Sequence, residues 1–160
     1  MRMTLAAALE LQKLSKGGGS KRQGGYQNTG KRQVVYYERA EQTEVIVWAS
    51  HTVINGIRVG DYLTHVPNEG KRGPQARKDF IELGGRSGYP DLIFDVPTPR
   101  YPGLRIEMKA PKDRQSYVTE NQAECHIMLR SMGYRVEVCY GAEEAKAVIS
   151  DYLSDLNEFS

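Results

Sequence analysis

The 160-residue chain has no apolar run that approaches the roughly 20 residues a membrane-spanning helix needs. Its first residues also lack the long apolar stretch and cleavage site of a signal peptide. Cys125 and Cys139 are the two cysteines, too few for a disulfide framework and too far apart in sequence to suggest a zinc cluster. These absences predict a cytoplasmic protein with reduced thiols and no membrane partner.

Positive charge is concentrated at the start of the chain. Residues 1–39 hold eight Lys/Arg and two acids, a balance of 8 − 2 = +6, whereas the remainder holds 14 and 18, a balance of 14 − 18 = −4. A basic segment of this kind either binds a polyanion or forms a solvated tail. Its charge alone does not distinguish these two interpretations.

The composition divides the chain into two predicted parts. Residues 1–33 are interpreted as a basic, glycine-rich arm, with a short helix over 3–15 and a flexible linker over 17–33. Residues 34–160 are predicted to form the compact domain. The cations of the arm that are candidate contacts to a polyanion are Lys21, Arg22, Lys31 and Arg32.

Hydrophobic periodicity and turn signals predict the elements of the compact domain. Helices are expected over 39–53, 74–83, 118–132 and 142–156, and strands over 91–96, 104–110 and 135–140. Asn55-Gly56 is a turn signal, Pro74 fits a first helical turn, and Thr119 is a candidate N-cap. This order predicts an α/β fold in which a small mixed central sheet is flanked by helices.

Two short motifs carry the chemistry. Asp91 opens one predicted strand, and Glu107-Met108-Lys109 lies in the next. Glu107 and Lys109 should point the same way, because strand side chains alternate between faces. Two carboxylates, with the backbone carbonyl of Met108, suit a hard divalent cation that activates water for phosphodiester hydrolysis. Lys109 can orient that water or stabilise developing negative charge.

A third acid for such a site is expected on the first predicted helix, where Glu41 and Glu44 are both candidates. The ordinary interpretation stands beside the functional one, since Glu-x-Lys on a strand often only faces solvent. Lys71, Arg72 and Arg86 lie in loops where they either contact phosphates or are plain surface cations. His65 could carry a proton but is interpreted as the end residue of a strand, and His126 is interpreted as structural.

Several blocks of this sequence, in this order, resemble the VRR-NUC (virus-type replication-repair nuclease) family of the PD-(D/E)xK nuclease superfamily. The resemblance runs from about residue 38 to 153, and its blocks are Glu41-Gln42, His65–Arg72, Leu83–Leu92, Ile106–Pro111, Gln122 and Gly133–Val136. It implies a restriction-endonuclease-like core and a Mg²⁺- or Mn²⁺-dependent nuclease acting on DNA. The residues that match the family's catalytic pattern are Asp91, Glu107, Lys109, Glu41 and Gln122.

The resemblance is to the small stand-alone members found in phages and bacteria. It implies a homodimer that cuts branched DNA, such as a Holliday junction or a flap, in a bacterial or phage-infected cell. A nicking or restriction-like nuclease without branch preference is one alternative. A catalytically silent DNA-binding module is another, although all the expected acids and the lysine are present.

Overall fold

The computed structural model describes residues 29–67, 73–114 and 116–156. The predicted helix over 3–15 and the predicted contacts of Lys21, Arg22, Lys71 and Arg72 therefore lie outside the described residues.

Helix α1 spans Thr29–His51 and is the longest helix described. It begins ten residues before the predicted start at residue 39, so the prediction of a linker over 29–33 is wrong. Residues 31–39 contain no glycine or proline, and the charged residues that suggested a linker are also good helix formers. The helix crosses the proposed boundary between residues 33 and 34, and the extent of the domain stays a prediction.

A two-stranded hairpin follows α1. Strand β1 (Val53–Ile54) pairs with β2 (Ile57–Arg58) through Asn55-Gly56, whose φ values are +51° and +79°. Both residues adopt left-handed backbone, as a type I′ turn requires, and the predicted turn is confirmed. A short 3₁₀-helix, Val59–Asp61, then leads into the central sheet.

The central sheet has four strands in the order β3-β4-β5-β6. Strand β3 (Leu63–His65) and strand β4 (Leu92–Phe94) are antiparallel, as are β4 and β5 (Leu104–Lys109), whereas β5 and β6 (Arg135–Tyr140) are parallel. The small mixed sheet is thus as predicted, but β3 was missed and β4 is shorter than the predicted 91–96. Three-residue strands carry too little alternation to register as a period.

Three more helices flank the sheet: α2 (Pro74–Glu82), α3 (Glu120–Ser131) and α4 (Ala142–Ser154). Pro74 lies in the first turn of α2, and Thr119 caps α3, as predicted. Helix α3 is the crossover between the parallel strands β5 and β6. None of the helices in the described ranges combines the length and apolarity that crossing a membrane requires.

Each face of the sheet covers its own apolar cluster. On one face, side chains of β4 and β5 pack with Val45 and Ala49 of α1 and with Ile149, Tyr152 and Leu153 of α4. On the other, Val136 of β6 packs with Cys125 and Leu129 of α3. Because β5 alternates, its even-numbered residues enter the larger core and Glu107 and Lys109 face α3.

Candidate active site

Asp91 lies immediately before β4 and is 4% exposed. Its Oδ2 accepts a hydrogen bond from the Met108 backbone N–H at 2.8 Å. A carboxylate thus takes the place of a backbone carbonyl at the point where β4 begins to pair with β5. This contact ties Asp91 to the strand that carries the Glu-x-Lys motif.

Glu107 and Lys109 form a buried ion pair on one face of β5. Glu107 is fully buried and Lys109 is 3% exposed, and Lys109 Nζ lies 3.0 Å from Glu107 Oε1. The expectation that strand alternation turns these two side chains the same way is confirmed. Buried charges of this kind are stable only when they are paired and hydrogen-bonded, which explains their close contact.

Gln122 joins this pair from the first turn of α3. Its Nε2 donates to Glu107 Oε1, and its Oε1 accepts from Lys109 Nζ at 3.2 Å. The same Oε1 accepts from the Thr119 backbone N–H at 2.8 Å, while Thr119 Oγ1 accepts from the Gln122 backbone N–H, which completes a capping box. The helix cap therefore orients the amide that contacts both charged residues.

The Met108 carbonyl faces the same side as Asp91. On the other side of β5, the Lys109 carbonyl accepts from the Gly141 N–H at 3.0 Å, next to β6. Successive strand residues turn their backbone groups to opposite edges, so those of Met108 point toward β4, where its N–H meets Asp91. The predicted carbonyl ligand and the predicted Asp91 ligand are thus adjacent.

The second oxygen of Glu107 is buried beside His126. Within the described part of the chain, Glu107 Oε2 and His126 Nε2 have no hydrogen-bond partner, and they lie 3.6 Å apart. A buried carboxylate oxygen without a donor is the kind of atom that a cation can satisfy. His126 was interpreted from the sequence as structural, and its contact with the site was missed because it is tertiary.

The acids of α1 contact three different places. The Glu41 carboxylate accepts from the Ala142 N–H at 2.6 Å, at the start of α4, and Glu44 pairs with Lys146 at 2.6 Å. Neither contact is with Asp91 or Glu107. Glu38, which sequence reasoning did not single out, is 9% exposed and accepts from the Ala110 N–H at 3.4 Å and from the Ser116 hydroxyl. Its position one helical turn before Glu41 is the signal that would have found it.

His65, the last residue of β3, lies beside the backbone of Asp91. Its Nδ1 is 3.1 Å from the Asp91 carbonyl oxygen and 2.8 Å from Gln42 Nε2 on α1. The prediction that His65 ends a strand is confirmed. These contacts bring β3 and α1 to the edge of the sheet at which β4 begins.

Arg86 lines a cleft of about 300 Å³ between the glycine-rich loop before β4 and helix α3. Its Nη1 lies 2.9 Å from Met128 Sδ, and Ser87 Oγ is 3.5 Å from Asn121 Nδ2. Burial raises the pKa of the Cys125 thiol in this cleft, Arg86 lowers it, and Glu107 raises it further. The net rise in pKa disfavours the reactive thiolate form of Cys125.

The other predicted cations are not brought to the site by any described contact. Lys31 and Arg32 lie within α1, and their side chains are outside what is described. Among the described ranges, no three side chains of His, Cys, Asp or Glu gather as a metal-binding group. The ligand set predicted from the sequence, Asp91, Glu107, Glu41 and the Met108 carbonyl, therefore stays a prediction.

Comparison with known proteins identifies the family and the fold. The family model described as the VRR-NUC domain matches residues 36–143. A solved structure described as "VRR_NUC domain protein" is 34% identical, with a TM-score of 0.63, and the match covers 73% of this chain and 88% of that one. A comparison with curated proteins finds no match.

Proposed function

Because the chain belongs to the VRR-NUC domain family, a family of nucleases with a PD-(D/E)xK-like fold, we propose that it is a metal-dependent endonuclease that hydrolyses DNA phosphodiester bonds. The observation that carries the proposal is the buried contact of Glu107, Lys109 and Gln122 beside Asp91. Burying this many charged and polar groups together is costly, and such groups concentrate where chemistry needs them.

The residues fit a Mg²⁺ or Mn²⁺ ion. Both ions prefer oxygen ligands, and Asp91, Glu107 and the Met108 carbonyl supply them on adjoining strands. The buried Oε2 of Glu107, which has no donor within the described residues, is an oxygen that can bind a cation. When bound, the ion lowers the pKa of water and neutralises charge on the phosphate.

Lys109 has a role of its own in this proposal. An ammonium group has three N–H donors, and the described contacts to Glu107 and Gln122 use two of them. The third can donate to the attacking water or to a phosphate oxygen on which negative charge develops. The two fixed contacts hold Nζ in place, so this donor is positioned before the substrate arrives.

The further acid on α1 is also part of the proposal. Glu41 is the residue predicted from the family pattern, and its carboxylate reaches the start of α4 at the edge of the sheet where β5 and β6 end. Glu44 is less suited, because its side chain is 56% exposed and pairs with Lys146. Glu38 is the alternative, because it accepts from the N–H of Ala110, the residue directly after the Glu-x-Lys motif.

We propose branched DNA as the substrate and a homodimer as the active form. Helix α2 buries none of its residues, and Ile81 within it and Leu83 directly after it are 61% and 87% exposed, which leaves apolar surface for a second copy. A two-fold dimer would present two sites to two strands, as symmetric cutting of a junction requires. The proposed contacts to DNA phosphates are the basic side chains of Arg86, Lys71, Arg72, Lys21, Arg22, Lys31 and Arg32.

The test is a cleavage panel of four-way junction, flap, linear duplex and single-stranded DNA, each assayed with Mg²⁺, Mn²⁺ or EDTA. We expect cutting of the branched DNAs with either metal and none with EDTA. Asp91→Ala and Lys109→Ala should abolish it, whereas Asp151→Asn, which changes an exposed acid on α4 that contacts Arg135, should cut normally.

Other results would contradict particular parts of the proposal. Equal cutting of a linear duplex of the same sequence would reject branch selectivity and favour a nicking nuclease. Salt-sensitive DNA binding without cutting in any metal would favour a silent binding module. Unchanged cutting by both alanine variants would refute the assigned site.

A further inference from the structure

A ring nitrogen of His126 and a carboxylate oxygen of Glu107 face each other in the protein interior. His126 is 3% exposed, Glu107 is fully buried, and His126 Nε2 lies 3.6 Å from Glu107 Oε2. Neither atom has a hydrogen-bond partner among the described residues. Buried polar atoms are nearly always paired, and the separation exceeds the usual N–H···O range by about 0.4 Å.

The helix places His126 where it can act on this carboxylate. Gln122 and His126 are four residues apart on α3, so they lie on one face, one turn after the other. Gln122 Nε2 donates to Glu107 Oε1, and His126 Nε2 faces Glu107 Oε2. Side chains on one face of α3 therefore lie next to both oxygens of the same carboxylate.

We propose that His126 is a positioning residue for Glu107, and that its ring carries a proton on Nε2, which it donates to Oε2 in a hydrogen bond. A small rotation of either side chain closes the remaining gap. With Lys109 and Gln122 on Oε1 and His126 on Oε2, three of the roughly four acceptor positions of the carboxylate are occupied. The orientation of the group is then fixed, and one lone pair is left for a cation.

This inference rests on the proposed function, because the value of a fixed Glu107 lies in its role as a ligand. Carboxylates that bind metals are themselves held by hydrogen bonds, and loss of such a partner typically lowers metal affinity or activity by about 10- to 100-fold. A histidine that only filled the core would have no such effect when replaced by a residue of similar size.

The first measurement needs no metal and no DNA. Two-bond ¹H–¹⁵N correlations of the His126 ring in the wild-type protein report which nitrogen carries the proton. We expect the proton on Nε2. A proton on Nδ1 alone would overturn the proposal, because Nε2 could then not donate to Glu107.

The second measurement is the affinity for Mn²⁺ alone, by titration calorimetry, in a matched pair of variants. In His126→Gln the amide nitrogen can reach the position of Nε2, whereas the side chain in His126→Asn is too short. We expect His126→Asn to weaken Mn²⁺ binding about 10- to 100-fold and His126→Gln to bind nearly as the wild type does. Equal affinity in both variants and the wild type would overturn the proposal.

Leu129→Ala is the control for loosened packing of α3, since Leu129 is buried in the same helix among Cys125 and Val136. It should lower thermal stability and leave Mn²⁺ affinity unchanged. A loss of affinity as large as that of His126→Asn would show that His126 acts only through packing. If the wild type neither binds Mn²⁺ nor cuts DNA, the proposed function fails, while the position of the ring proton still decides whether His126 can donate to Glu107.

Discussion

Gln122 has two tasks that are usually performed by different residues. Its side chain closes the capping box at Thr119 and also contacts both Glu107 and Lys109. A change at Gln122 therefore affects both the helix cap and the Glu107–Lys109 pair. The stability of α3 and the geometry of the site are coupled at this residue.

The two tasks can be separated by a pair of substitutions. Thr119→Ala removes the hydroxyl that caps α3 but keeps the Thr119 backbone N–H that holds the Gln122 amide, so we expect unfolding free energy to fall by about 1 kcal/mol with cleavage retained. Gln122→Ala removes the contacts to Glu107 and Lys109 as well, and cleavage should fall about 10- to 100-fold. Denaturant unfolding and initial cleavage rates, measured on both variants, check this. Equal losses of activity would mean that the cap, not the amide contact, matters for the site.

At the scale of elements, the approach of the glycine-rich loop to α3 depends on one residue. Gly88 has φ of +79°, and a Cβ there would lie 2.6 Å from the Asn121 backbone. Gly84, in the same loop, has φ of +83°, but a Cβ there would meet nothing within 4 Å. The two glycines share the backbone conformation and differ in the space around them.

This difference predicts unequal costs for the same substitution. Gly84→Ala should lower the unfolding free energy by about 1 kcal/mol through backbone strain alone. Gly88→Ala adds a clash with the helix backbone, and we expect a total of about 2–6 kcal/mol. Urea unfolding of both variants measures the costs. Similar values would show that the loop can move away from α3 without penalty.

At the same scale, two acids of helix α1 contact α4 in different ways. Glu41 accepts from the backbone at the start of α4, whereas Glu44 pairs with the Lys146 side chain. Glu41→Gln should lower unfolding free energy by about 1 kcal/mol, since a neutral amide caps the start of α4 less well than a carboxylate. Glu44→Gln, which loses only an exposed ion pair, should cost about 0–1 kcal/mol. Thermal unfolding separates the two.

Titration of the same variants with Mn²⁺ tests the predicted role of Glu41 as a ligand. Weaker binding in Glu41→Gln, with Glu38→Gln unchanged, would support that role. Weaker binding in Glu38→Gln alone would transfer it to Glu38, which the structure brings to Ala110 next to Lys109.

At the scale of the whole molecule, the parts that could be predicted are those with a strong local period. The alternation of β5 correctly placed Glu107 and Lys109 on one face, and the capping signal at Thr119 correctly located the start of α3. These features depend on residues a few positions apart, so the sequence alone contains them.

The parts that could not be predicted depend on tertiary contact or on very short elements. Strand β3 has three residues, and only its pairing with β4 defines it. Glu38 and His126 look like ordinary helix residues until the fold brings one to Ala110 and the other to Glu107. The start of α1 was misjudged because charged and amide residues suit both a linker and a helix.

The parallel pairing of β5 and β6 across α3 has a consequence for how this domain can vary. Asp91, the Glu-x-Lys motif, Gln122 and His126 all come from one stretch of chain, in which Asp91 accepts from the Met108 N–H and Gln122 and His126 lie beside Glu107. We therefore expect insertions to be tolerated better outside this stretch than within it. Relatives should therefore differ most in substrate choice and least in the contacts among these site residues. A domain graft should join the chain outside this stretch.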